Sequence, residues 1–166
     1  INAVICTLGN WEYWADIDLD ALTRIYERNG VSLLVNQEKT FEIQSRKLRV
    51  IGLDDFTAGK PDFDTFRATP LGTTSLIIEH SPGLFDDSMY SVKKQPLTAD
   101  LCLAGHTHGG QITLFGRLLW TPPGSGRFAE GLYQTDRCPL YVSRGVGTSL
   151  LPVRFGARPE IAVFYL

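Results

Sequence analysis

At 166 residues, with 43% hydrophobic and 20% charged residues, the chain has the apolar content to bury a core and reads as one soluble globular domain or most of one, which excludes a disordered segment. A balance of 16 Lys+Arg against 18 Asp+Glu leaves a net charge of −2. That excludes a basic field gathering nucleic acid or anionic membrane over the whole surface, so any anionic substrate has to be held locally.

The chain opens on Ile1-Asn2-Ala3-Val4-Ile5, in mid-strand, with no initiator Met, no charged leader and no apolar run near the ~18 residues of a spanning helix. Residues 3–8 predict a buried strand ending at Gly9. Residues 18–26 carry Leu19, Leu22, Ile25 and Tyr26 at the spacing of one helical face, with Asp16 or Asp18 as the cap and Gly30 as the end. Three strand-like segments follow at 32–35, 40–44 and 47–53. A further apolar run at 74–79 delivers His80 and is broken at once by Pro82-Gly83; the run 101–104 delivers Gly105 and His106 in the same way. Strands are expected again at 111–115, 131–135, 140–143 and 160–166, joined by Gly/Pro-rich loops. Strands outnumber helices, no repeat or linker divides the chain, and the pattern predicts a single mixed α/β layered domain rather than a barrel of alternating units. Cys6, Cys102 and Cys138 are odd in number and far apart, and two of them lie in apolar runs, so they are expected as reduced core thiols.

All three histidines stand where apolar strands end, the edge at which a layered α/β fold collects functional side chains. Gly105-His106-Thr107-His108-Gly109-Gly110-Gln111 is the weightiest stretch. Two imidazoles one residue apart project to the same side of an extended chain, imidazole is a preferred ligand of zinc and iron, and the glycines let backbone approach an ion. His80 alone reads more readily as a packed or surface histidine, and Asn10 alone as a turn residue. Leu150-Leu151-Pro152-Val153 with Phe155 reads as a buried loop edge, ahead of an apolar substrate channel or an interface.

Taken in order, Gly9-Asn10-Trp11-Glu12, Ile77-Ile78-Glu79-His80-Ser81-Pro82 and Gly105-His106-Thr107-His108 resemble the third, fourth and fifth motifs of the calcineurin-like metallophosphoesterases. Leu53-Asp54-Asp55 with Gly59, the extension Gly109-Gly110-Gln111, and the run 141–149 continuing to Arg158-Pro159-Glu160-Ile161 resemble the family's bacterial branch of small phosphohydrolases. The resemblance implies an α/β/β/α sandwich of which residues 1–166 are the C-terminal part of a single domain. It implies Asn10, His80 and His106 as ligands of one divalent ion and His108 as a ligand of a second, the ions being Mn, Zn, Fe or Mg. Such a pair polarises phosphoryl oxygens and steadies an in-line displacement. The family's Asp-x-His and Gly-Asp motifs are absent from these residues and are expected upstream of Ile1, in roughly 100 residues, the scale of a domain. Trp11 stands where the family motif has a His that protonates the leaving oxygen, and indole has no proton to give near neutral pH. Arg144 is a candidate for the substrate phosphate through its fork of donors, and Asp54 and Asp55 are candidates to orient imidazole N–H groups.

The resulting expectation is a metal-dependent hydrolase of phosphomonoester, phosphodiester or pyrophosphate bonds, acting on a phosphorylated small-molecule or lipid-linked substrate. No sequence-specific nucleic-acid partner is implied, and any membrane association falls to residues preceding these. The competing expectation is a metal-binding or interaction module without turnover, supported by Trp11 and the missing carboxylates. A metallo-β-lactamase site would need His-x-His-x-Asp-His, where Gly110 and Gln111 stand instead, and an amidohydrolase barrel would need a much longer chain after the pair.

Overall fold

A computed structural model describes residues 3–86, 88 and 98–165. It has the expected mixed α/β character: a central six-stranded sheet, two separate two-stranded pieces and few helices. The chain runs β1 (Val4–Cys6), α1 (Asn10–Trp14), α2 (Leu19–Arg28), β2 (Val31–Leu33), β3 (Gln37–Ile43), β4 (Arg46–Gly52), β5 (Thr73–Ile78) and β6 (Leu101–Ala104). The hairpin β7 (Thr113–Leu114) and β8 (Arg117–Leu118), then β9 (Gly131–Gln134) and β10 (Pro139–Val142), complete it. Among the described residues no helix is long and apolar enough to cross a membrane.

The central sheet has the order β3-β4-β5-β6-β10-β9. Its inner strands β4, β5, β6 and β10 are all parallel, while β3 and β9 pair antiparallel at the two edges. Four parallel strands put their C-terminal ends on one rim, and Asp54, His80, His106 and Arg144 all lie just beyond those ends. The core runs through the sheet on Ile51, Ile77, Cys102, Leu140 and Val142, and the loop side chains Phe63, Leu84, Phe85 and Phe128 pack against it. Burying such side chains contributes roughly 1.5–3 kcal/mol each.

β1 and β2 form the second, parallel piece, and α2 packs on β2. The helix begins as the sequence predicts: the Asp18 side chain accepts from the Ala21 amide at 2.9 Å, and Gly30 follows its end in a left-handed conformation. The β1–β2 piece meets the central sheet where β2 gives way to Leu34 beside the end of β4. A Cβ on Gly52 would come within 2.6 Å of the Leu34 carbonyl oxygen, so that approach needs glycine.

Three expectations change. Residues 10–14 are helical, because the Glu12 carboxylate accepts from the Gly9 amide at 2.9 Å and closes the first turn that a glycine–asparagine start conceals. Described residues 160–165 form no strand; Glu160 is held instead by its amide to the Gly145 carbonyl. Cys102 and Cys138 are joined in a disulfide rather than reduced. Leu140 pairs with Cys102 across β10 and β6, which brings Cys138, two residues earlier, to a Cα–Cα distance of 5.9 Å. Cys6 remains a free thiol.

Candidate metal centre

Three segments build the site. The first turn of α1 buries Asn10 (3% exposed), the end of β5 carries His80, and the turn after β6 carries His106 (8% exposed). Gly9 lies against the His80 ring; a Cβ there would stand 3.0 Å from three of its atoms. Asn10 Oδ1 is 3.0 Å from His80 Nε2 and 3.1 Å from His106 Nδ1, and the two ring nitrogens are 3.2 Å apart.

Hydrogen bonding does not account for this triangle. His106 Nε2 lies 2.8 Å from the Pro123 carbonyl oxygen, which can only accept, so the ring carries its proton there. In the neutral ring Nδ1 is then a bare lone pair, and it faces the Asn10 oxygen, another acceptor. His80 Nε2 can donate to one of them at most, and at least one pair of acceptors is left in contact. Three donor atoms 3.0–3.2 Å apart match the edges of a coordination shell around a first-row ion with ~2.0–2.1 Å bonds, about 3.0 Å for an octahedron and about 3.3 Å for a tetrahedron. Among the described residues no group of three or more His, Cys, Asp or Glu side chains could hold a metal ion; the triangle consists of two imidazoles and one amide oxygen.

The electrostatics favour neutral imidazoles. Burial pushes His80 down to about 4, with His106 and His108 adding to the effect. Burial also lowers His106, against the Pro123 hydrogen bond and the charge of Asp55, and lowers His108 against its hydrogen bond to Gly147. Neutral rings are the form that ligates metal.

His108 stands apart from the triangle. The extended chain expected around the histidine pair is absent: His106, His108, Gly109, Gly110 and Gln111 all have φ between 53° and 74°. This left-handed run, stored strain at a functional turn, sends the two imidazoles to different partners. His108 Nδ1 lies 3.3 Å from the Gly147 carbonyl oxygen, which leaves Nε2 as its lone-pair nitrogen. All four residues, Asn10, His80, His106 and His108, line a cavity of about 660 Å³.

Other expectations resolve differently. Asp54 and Asp55 bond no imidazole. Asp54 accepts from the Tyr13 hydroxyl and from the Asp55 and Lys60 amides. Asp55, fully buried, accepts from the Ser81 hydroxyl at 2.5 Å and from the Thr57 and Ala58 amides. Burial raises the Asp55 carboxyl, opposed chiefly by the Ser81 bond, and it braces the residue after His80 rather than the ring. Arg144 does not line the cavity. Its guanidinium holds Glu160 at 2.5 and 2.8 Å and lies 3.6 Å from Glu130. Leu150 and Leu151, read from sequence as a buried edge, are 79% and 59% exposed and form part of the cavity wall. The Pro123 carbonyl was not detectable in sequence, since backbone acceptors leave no residue signature.

No family model matches the chain. Over 98% of its length it is 32% identical to the uncharacterized metallophosphoesterase YkuE of Bacillus subtilis, covering 55% of that protein. It is 33% identical to the phosphodiesterase YaeI of Escherichia coli over 82% of the chain and 48% of the relative. It is 31% identical to the UDP-2,3-diacylglucosamine pyrophosphatase LpxG of Chlamydia muridarum over 86% of the chain and 43% of the relative. The chain spans about half the length of these curated relatives.

Proposed function

Since the chain is homologous to the metallophosphoesterases, we propose that it supplies part of a two-metal centre that hydrolyses phosphomonoester, phosphodiester or pyrophosphate bonds. The observation that carries this reading is the contact of acceptor atoms among Asn10, His80 and His106, which a cation relieves and no protonation of neutral rings does. These three residues would hold one divalent ion, Mn, Zn, Fe or Mg, and His108 through Nε2 would help to hold a second. Such ions supply Lewis-acid polarisation of phosphoryl oxygens and of water.

The chain's own residues orient that chemistry. Pro123 fixes the His106 tautomer and Gly147 that of His108, the support that ligating imidazoles ordinarily receive. Neutral ligands leave the charge of two dications unbalanced, so we assign the anionic ligands to sequence outside these 166 residues, in keeping with relatives about twice as long. Trp11 lines the cavity, and by the motif resemblance it would take the position of the family's acid. With no proton to give, it restricts efficient turnover to esters whose leaving group departs unprotonated. For Arg144 to meet a substrate phosphate, the phosphate would have to replace Glu160 on its guanidinium.

Trp11 also favours the second reading, a metal-binding module without turnover. The two are separated by assaying the protein with manganese, zinc or magnesium on a chromogenic phosphodiester beside His106→Ala and His108→Ala. Metal-dependent hydrolysis lost in both variants supports the first reading; activity indifferent to both changes refutes it, and metal binding without hydrolysis supports the second.

A further inference from the structure

We propose that the cavity above the metal ligands takes the aliphatic chain of an amphiphilic phosphate ester, with Trp11, Trp14, Leu119, Trp120, Leu150 and Leu151 as its wall and Gln111 as the residue that positions that wall. The proposal rests on the metal-centre reading only for where the phosphate sits.

The cavity measures about 660 Å³, well within the range of sites that enclose a small ligand. Its floor is the ligand set and its wall is apolar, so a phosphate at the floor leaves the rest of its molecule against tryptophan and leucine. All 3 tryptophans of the sequence lie on that wall. They are not buried as core residues: Trp11, Trp14 and Trp120 are 48–57% exposed, and Leu119 61%. A contiguous exposed apolar surface of this kind marks a binding site.

Outside the proposed ligand set, two of the three polar side chains that line the cavity, Thr107 and Gln111, are already engaged, which leaves the Ser149 hydroxyl. Thr107 donates its hydroxyl to the Ala129 carbonyl at 2.5 Å. Gln111 spends both ends of its amide on the loop opposite, donating from Nε2 to the Leu151 carbonyl at 2.9 Å and accepting at Oε1 from the Ser149 amide at 2.7 Å. A nucleobase or sugar would find few free groups to read there, whereas an alkyl chain needs none. The Gln111 clamp spans Leu150, which sits at φ 63°, a left-handed conformation that leucine rarely adopts. The strained residue lines the cavity while 79% exposed.

The test uses metal-stripped protein, so that binding is read without catalysis. Alkyl phosphates of 6 to 14 carbons (roughly the span over which burial is measurable), carrying bromine on the chain, should quench the tryptophan fluorescence. The half-saturating concentration should fall about three- to fourfold per added methylene until the cavity is full. Inorganic phosphate and glycerol phosphate should not quench. Leu150→Asp and Gln111→Ala should flatten the dependence on chain length. Running the series below the aggregation concentration, and again with the same amphiphile in phosphatidylcholine vesicles, distinguishes a free amphiphile from a bilayer lipid as the source. Absence of quenching, or affinity indifferent to chain length in both arms, overturns the proposal. Loss of the metal-centre reading alone would leave the quenching series intact.

Discussion

The ring Nε2–H of His106 donates to the carbonyl oxygen of Pro123 at 2.8 Å, and this one hydrogen bond turns the opposite nitrogen toward Asn10 as a lone pair. The loop at 120–125 thereby determines what the turn after β6 can bind.

Removing any corner of the triangle should weaken metal binding. Asn10→Ala, His80→Ala and His106→Ala are each expected to lower affinity for manganese or zinc by at least tenfold, since even losing a partner that orients a ligand costs about 10–100-fold. Isothermal titration of each variant checks this. Unchanged affinity in all three would remove the basis for the site.

Trp11→His should restore an acid at the cavity wall. The expected result is a gain of at least about tenfold in kcat/KM for an alkyl phosphodiester with a poor leaving group, with little change for a p-nitrophenyl ester. An equal gain on both would show that the indole acts by steric hindrance instead.

The pairing of Tyr141, Arg144 and Glu160 predicts an acid limb in the stability curve. Although burial opposes it, the hydrogen bonds from Tyr141 and Arg144 hold the Glu160 carboxyl below its usual value. A lowered carboxylate contributes stability that is fully present above the unfolded value and is lost as pH falls through the folded one. Denaturant melts between pH 7 and pH 3 should therefore show a steeper acid loss for the wild type than for Glu160→Gln. Arg144→Ala, in turn, should raise KM for the phosphoester more than it lowers kcat.

The Cys102–Cys138 bridge closes a loop with a sequence separation of 36 residues. Cys138→Ser is expected to cost about 3–4 kcal/mol by the loop-entropy relation, read as a lower urea midpoint. Reductant should move the wild-type midpoint to the same place and leave the variant unmoved.

Much of this architecture was legible in the sequence. The helix after Asp18 and the strands ending at His80 and His106 announce themselves by apolar periodicity and by the turn residues that stop them. The motifs singled out Asn10, His80, His106 and His108, and the structure brings all four to one cavity. What stayed hidden depends on register and backbone. Cys138 meets Cys102 because β10 runs parallel to β6 in one register, and no spacing encodes that. His106 and His108 part company because five residues between 106 and 111 take left-handed φ values, whereas an extended chain would have kept them on one side. Leu150 and Leu151 look like core by composition, and it is the Gln111 clamp that presents them to the cavity.

The most direct measurement is the anomalous-scattering map of crystals of the protein grown with manganese or zinc. The account predicts a peak about 2.0–2.2 Å from Asn10 Oδ1, His80 Nε2 and His106 Nδ1 together, with His106 Nε2 still donating to Pro123. A peak that avoids this triangle, or none at saturating metal, would contradict it.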